Sequence, residues 1–407
     1  MGSKRWLRTI ALAGGLAALL CTFALQSVFA APALAEGGPP PNSGAPAGQV
    51  EPSGLDTRDI DELLHQAQTG LAGYTPEVSV RSVLGALISG KGFDWRGLLR
   101  GLLRYLFAET VASTGLLGKL VALAVLAAVL HNVQGAFGGG AASKVAAMVT
   151  YLATATLALS SFALAFGTAR AVVDRLVSFM QALLPTLLAL LAANGGIVTV
   201  PLMHPVMVAA INIASVLVRD VVLPLILVSA LLELVSSFSS SYKLSGVVAL
   251  LRYGTVTALS LAMVLVLGVS GALKASGPVA DGVALRAGKF AATTFIPVIG
   301  KMFSDAAELV WGSSSVLMSA VGLAGAVGVV VLVSFPLVKL AAIILTYRLA
   351  GAVIQPVSDP EVVSLLNGVA NAVAFAFVAV AAVALLFFVG ITMLMGAGNA
   401  LLGLRQL

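Results

Sequence analysis

A small set of ionisable residues lies in strongly apolar surroundings: Arg219, Asp220, Glu233, Lys339 and Arg348. A charge near the hydrocarbon of a membrane costs about 2.5–3.5 kcal/mol on insertion scales, so such residues usually face a bundle interior, a cavity or each other. One hypothesis is that some line a polar pathway or pair between helices, such as Glu233 with Lys339 or Arg348. The alternative is that they reach toward span ends, with a local Arg219–Asp220 interaction.

No sequence pattern typical of catalysis accompanies these charges. The chain has no H-E-x-x-H zinc motif, no G-x-x-x-x-G-K-[ST] phosphate loop and no G-x-S-x-G elbow. Its single cysteine is Cys21, and His65, His131 and His204 are far apart in the sequence. We therefore predict no catalytic residues, no cofactor and no metal site.

The composition indicates which elements must hold these residues. The 407-residue chain is 59% hydrophobic and 10% charged, whereas about a quarter of the residues in a soluble domain are charged. These values predict an all-α integral membrane protein. The net charge of +6 is typical of topology signals and of contact with anionic membrane lipid. No basic run carries interleaved aromatics, so we expect no nucleic acid partner.

The N-terminus resembles an export signal. Lys4, Arg5 and Arg8 precede a short apolar run, and small-residue cleavage patterns end at Ala30 and Ala35. We predict a cleaved signal peptide over residues 1–35, with an uncleaved signal anchor as the alternative. Residues 36–55 are rich in Pro, Gly and Ser and form a predicted flexible linker.

Residues 56–110 have the periodicity of three amphipathic helices outside the cytoplasm. The third carries a basic stripe of Arg96, Arg100 and Arg104 opposite an apolar row that begins at Trp95. A helix of this kind is suited to lie in a membrane interface. The alternative is a helix packed on protein with a solvated basic face.

Residues 111–398 form the predicted membrane domain, a bundle of about 6–8 transmembrane helices, followed by a tail at 399–407. The region 205–236 is either one kinked helix or a broken pair, and 337–355 either spans or dips into the membrane. No repeat between the two halves supports an inverted-repeat transporter. The predicted spans are 116–134, 145–167, 176–193, 205–236, 254–273, 314–335, 337–355 and 368–395.

Small residues recur within these spans. Gly322, Gly325 and Gly328 follow each other at three-residue spacing, and alanines crowd residues 370–384. Such surfaces allow close helix contact within the bundle or between subunits, so a homo-oligomer is possible on this pattern.

An amphipathic connector, 275–313, interrupts the apolar segments. Pro297 and Gly300 are expected to break the preceding helix. Asp305 and Glu308 are expected to start the next one. If the signal is exported and 205–236 crosses once, the positive-inside bias places this connector in the cytoplasm; crossing twice would place it outside.

The connector also carries a resemblance. The run from Phe295 to Glu308 resembles the central signature of the stage III sporulation protein AE family, and Leu98 to Phe107, LLRGLLRYLF, is similar to that family as well. The family offers no catalytic residue for this chain. The best-matching residues are Phe295, Pro297, Gly300, Met302, Ser304, Asp305 and Glu308.

Two functional classes remain open from the residues alone: a subunit of a larger membrane complex, or a secondary transporter or permease for a small solute. The resemblance implies the first. It implies a membrane subunit of a channel or secretion-like complex that links mother cell and forespore and is required for late forespore development. It also implies location in the mother-cell-derived membrane around the forespore. The implied partners are other proteins of the stage III sporulation A operon and a forespore-side membrane protein.

Overall fold

The structure, a computed structural model, describes residues 62, 95–112, 114–136, 141–238, 244–295, 297–356 and 360–406. They belong to one compact unit, Thr57–Leu407, and contain helices and turns but no strand. The predicted signal peptide, the linker and most of the first two amphipathic helices lie outside the described residues. From residue 95 onward the α-helices are α1 Trp95–Ala112, α2 Thr114–Ala136, α3 Ala141–Ala193, α4 Thr199–Val216, α5 Leu223–Phe238, α6 Ser245–Phe295, α7 Pro297–Ile354 and α8 Pro360–Gln406.

Six helical segments among the described residues are long and apolar enough to cross a membrane, so the chain is a multi-pass membrane protein. Four of them contain 43, 38, 42 and 39 residues. At 1.5 Å per residue they are about 57–65 Å long, roughly twice the hydrocarbon thickness of a bilayer. The six segments are Leu99–Leu123, Tyr151–Ala193, Thr199–Ser236, Ser245–Gly268, Ser313–Ile354 and Pro360–Gly398.

Two predicted pairs of spans are single helices. The spans 145–167 and 176–193 both lie in α3, and 314–335 and 337–355 both lie in α7. In α3 the predicted break was wrong because charged residues such as Arg170 and Asp174 lower hydropathy but are compatible with helical backbone. In α7 the gap between the two predicted spans falls at Pro336, and the helix continues through this proline. Hydropathy marks the end of an apolar run, whereas a helix ends only where its backbone hydrogen bonds stop.

The region 205–236 is one helical path rather than a broken pair. A π-helical segment, Leu217–Val222, joins α4 to α5, and the backbone is helical at both of its ends. Pro224 follows this segment by two residues. A proline ring clashes with the carbonyl four residues earlier, here that of Asp220, and wider π-type winding accommodates the clash.

The core of the bundle is the α7–α8 pair, which packs against α3, α5 and α6. Contacts at its two ends show that successive long helices run in opposite directions. At one end Tyr151 donates to the Leu234 carbonyl, and Tyr347 to the Ala158 carbonyl. At the other end Asn194 lies against the Met318 sulfur at 3.3 Å.

The turn between α3 and α4 is buried at this second end. Gly195, with φ of 84°, donates to the Ala192 carbonyl, and Gly196 donates to the Leu191 carbonyl. This is a Schellman arrangement, in which glycine takes the left-handed position after the helix. Thr199, the first residue of α4, follows this turn by three residues.

A carboxylate from another helix caps α4. Asp281 of α6 is fully buried, and its oxygens accept hydrogen bonds from the backbone N–H groups of Val198 and Thr199. The Thr199 hydroxyl also donates to it. A negative charge is favourable where the N–H groups of a helix start are unpaired.

The predicted connector 275–313 contains the last residues of α6 and the first residues of α7. α6 ends at Phe295 and α7 begins at Pro297, so the helix break predicted at Pro297 is present, whereas Gly300 lies inside α7 and breaks no helix. The predicted helix start at Asp305 is wrong, because Asp305 and Glu308 lie inside α7. Proline is well suited to the first helical position, and it therefore sets the boundary earlier.

Candidate functional site

An ion pair joins α5 to α6 inside the membrane bundle. A guanidinium nitrogen of Arg252 donates to Oε2 of Glu233. The two side chains are only 22% and 24% exposed. Arg252 also lies over the ring of Phe375 in α8, 5.4 Å from its centroid, which adds a cation–π contact. The pair is therefore held from three helices.

A second arginine lies on α7 and faces α8. Arg348 donates through Nη1 to Oδ1 of Asn367 at 2.7 Å and through Nη2 to Oδ1 of Asn371 at 2.6 Å. The two asparagines are four residues apart on one helical face, which matches the fixed fork of a guanidinium. Arg348 is also attracted electrostatically to Glu233.

These five residues, Glu233, Arg252, Arg348, Asn367 and Asn371, form what we call the polar cluster. It joins α5, α6, α7 and α8, and contains two guanidinium groups and one carboxylate. Each residue lies five to eleven positions from a helix end, about 8–17 Å along the axis. The cluster thus fixes four helices near one end of the bundle and carries one excess positive charge.

Two residues of this cluster, Glu233 and Arg348, are among the charged residues predicted from the sequence. The predicted partner of Glu233, Lys339 or Arg348, is wrong, since its direct partner is Arg252. Arg252 was missed because it precedes the predicted span at 254. Asn367 and Asn371 were missed because neutral amides do not interrupt an apolar run. Their i, i+4 spacing was the signal that could have indicated them.

Arg219 and Asp220 lie elsewhere, midway along the bundle in the π-helical segment. Arg219 pairs with Asp174 of α3 at 3.5 Å and lies 4.0 Å from Asp220. The interaction predicted between Arg219 and Asp220 is therefore present, with an added partner on α3. Two exposed arginines of α3, Arg170 and Arg175, lie near these three residues. We call the five residues the charged belt: Arg170, Asp174, Arg175, Arg219 and Asp220.

Lys339 is half-buried on α7 and joins neither group: no carboxylate in the described ranges pairs with it.

An open groove of about 540 Å³ lies between α3 and α4, lined by Pro185, His204 and other residues. It is apolar and lies in the opposite half of the bundle from the polar cluster. Among the described residues no group of three His, Cys, Asp or Glu side chains could hold a metal ion.

The basic stripe lies on α1. Arg96, Arg100 and Arg104 are all exposed. The neighbouring row of Leu99, Leu103, Phe107 and Val111 is also exposed, between 49% and 70%. A third face packs on protein, where Tyr105 meets Phe335 of α7 edge-on at 5.3 Å. The helix therefore contacts the bundle on one side and leaves both a basic and an apolar row uncovered.

The residues that carried the family resemblance fall at the junction of α6 and α7. Phe295 is the last residue of α6, Pro297 the first of α7, and the others lie in the first turns of α7. Their side chains are outside the described part of the structure. The polar cluster does not present an arrangement of nucleophile, base and oxyanion donors.

Comparison with known proteins identifies the family. The model of the family described as Stage III sporulation protein AE matches residues 78–398. The chain is 35% identical to the Stage III sporulation protein AE of Bacillus subtilis (strain 168) over 345 residues, 85% of this chain and 86% of that protein. No solved structure matches the chain. A multi-pass helical bundle with this match over most of its length belongs to the stage III sporulation protein AE family, whose role is in sporulation.

Proposed function

We propose that this chain is a membrane subunit of a channel or secretion-like complex that links mother cell and forespore, and that it is required for late forespore development. The observation that carries the proposal is the polar cluster: Glu233, Arg252 and Arg348 tie four helices together inside the membrane bundle. Family membership supplies the context of sporulation.

The geometry favours a fixed subunit over a carrier whose halves move. α7 packs closely on both α8 and α3, since a Cβ added at Gly322 would lie 2.3 Å from Met395 of α8 and one at Gly325 would lie 2.4 Å from Leu183 of α3. The polar cluster fixes one end of the bundle, and Asp281 joins α6 to α4 at the other. A bundle held at both ends by buried polar contacts resists rocking, because opening it would leave charges unpaired in an apolar setting.

On this proposal the protein lies in the mother-cell-derived membrane around the forespore, with residues 56–94 in the intermembrane space. Its partners are other proteins of the stage III sporulation A operon and a forespore-side membrane protein. On this proposal α1 lies in the membrane interface and does not cross the bilayer, and its exposed basic row, Arg96, Arg100 and Arg104, contacts anionic lipid headgroups.

The test is deletion of the gene in its spore-forming host, with imaging of the forespore after engulfment. The proposal predicts normal engulfment, followed by shrinkage of the forespore and failure of late gene expression there. Normal spores together with a defect in uptake or export of one solute would overturn it and establish a permease instead. Restoration by the wild-type gene controls for effects on neighbouring genes of the operon.

A further inference from the structure

The charged belt lies where a lipid-facing helix should carry no charge. Arg219 and Asp174 are about 25–35 Å along the axis from either end of the apolar segments that contain them, Thr199–Ser236 and Tyr151–Ala193. Nevertheless Arg219 and Asp174 are each 44% exposed, and Asp220 is 60% exposed. Each charge facing hydrocarbon would cost about 2.5–3.5 kcal/mol on insertion scales.

Sliding the helices until the belt lies at the headgroups removes this cost but creates another. Placing the belt at the headgroups would leave half of the α3–α4–α5 surface outside the hydrocarbon. Exposed large apolar side chains occur on both sides of the belt: Leu164 and Val228 toward one end, and Leu202 and Ile213 toward the other. With the belt in the hydrocarbon the charges face lipid, and with the belt at the headgroups the apolar side chains on one side of it face water. A protein partner that covers both the charges and the apolar side chains removes both costs.

We propose that the charged belt is the centre of a contact with a second copy of this chain. The belt carries both signs, with three arginines and two aspartates, and is therefore complementary to a copy of itself in a two-fold arrangement. No described carboxylate pairs with Arg170 or Arg175. These two cations are available to the aspartates of the second belt. The exposed Val216 and Val221 at the π-helical segment supply apolar contact beside the charges.

This contact does not depend on the proposed channel function, and it is tested on the full-length protein in native membranes. With Cys21→Ala as background, Val216→Cys and Val221→Cys place single thiols beside the belt. Val264→Cys is the matched control, because Val264 is 68% exposed on α6 among apolar neighbours. We expect a short bismaleimide to give at least about tenfold more covalent dimer at 216 and 221 than at 264, a ratio that corresponds to about 1.4 kcal/mol.

The second part of the experiment removes charges from the belt. The triple variant Asp174→Asn, Arg219→Gln and Asp220→Asn replaces three of the five belt charges with neutral amides, and its dimer yield at position 216 should fall about tenfold. Unchanged helical circular dichroism shows that the variant is folded. Equal dimer yields at 216, 221 and 264 would overturn the proposal. So would reaction of the 216 and 221 thiols with a membrane-impermeant maleimide without dimer, which would show that the belt faces water.

Discussion

Glu233 and Arg252 form an ion pair between the last turns of α5 and the first turns of α6, across the connection 239–244. Phe375 of α8 covers the guanidinium, and a Cβ added at Gly368 would lie 3.0 Å from the Glu233 side chain. α8 therefore closes over the pair. The ion pair and the α8 surface together determine how three helices meet at one end of the bundle.

The first prediction concerns the charge of Glu233. In Glu233→Gln, Arg252 loses its carboxylate and Arg348 loses a nearby negative charge, so the free energy of unfolding should fall by about 2–3 kcal/mol. Thermal unfolding in detergent micelles measures this change. Glu361→Gln, at an exposed residue in the first turn of α8, is the control and should change stability by less than about 0.5 kcal/mol. Equal stability of the two variants would contradict a structural role for the pair.

The second prediction concerns the shape of Arg348. Lysine keeps the positive charge but cannot donate simultaneously to Asn367 and Asn371 as a planar fork does. We expect Arg348→Lys to destabilise the protein by about 1–2 kcal/mol. Lys339→Arg, on the same helix and outside the polar cluster, should be neutral. If Arg348→Lys unfolds at the wild-type temperature, charge alone matters at this position.

The third prediction concerns the cap that α6 supplies to α4. Asp281→Ala removes the acceptor for the backbone N–H groups of Val198 and Thr199. We expect a loss of about 2 kcal/mol and faster hydrogen exchange in the first turn of α4. Asp281→Asn retains one acceptor oxygen and should fall between the wild type and the alanine variant. Equal exchange in all three proteins would show that the first turn of α4 does not need this carboxylate.

The fourth prediction compares two glycines in long helices. A Cβ at Gly325 would lie 2.4 Å from Cδ2 of Leu183, while one at Gly390 would meet no atom within 4 Å. Gly325→Ala should therefore destabilise the bundle by about 1–3 kcal/mol through overpacking. Gly390→Ala should stabilise it by about 0.5–1 kcal/mol, because alanine has less backbone freedom to lose. The reverse order of melting temperatures would exclude the close α3–α7 contact.

The helical class and the membrane location could be predicted from composition, because hydropathy depends only on which residues are present. Charged residues in apolar runs could be found in the same way, which is why Glu233 and Arg348 were selected. Their partners could not, since pairing depends on how helices far apart in sequence are placed. Arg252 and Asn371 are ordinary residues in the sequence and become notable only when α6 and α8 approach α5 and α7.

Helix ends were the weaker part of the sequence prediction. The boundary at Pro297 was recognisable because proline has a specific backbone requirement. The continuity of α3 through Arg170 and Asp174 was not recognisable, because the same residues that end an apolar run are good or acceptable helix residues. The capping of α4 by Asp281 also could not be foreseen, since the two are joined only by tertiary packing.

The role of the polar cluster in function is measured by the forespore volume after engulfment in a strain whose only copy of the gene carries Glu233→Gln together with Arg348→Lys. The protein level in the membrane must first be matched to wild type by immunoblotting. We expect these forespores to be engulfed normally, then to shrink and fail in late gene expression, as in a deletion strain. Forespores of normal volume with wild-type expression would contradict the claim that the polar cluster is needed for the function of this subunit.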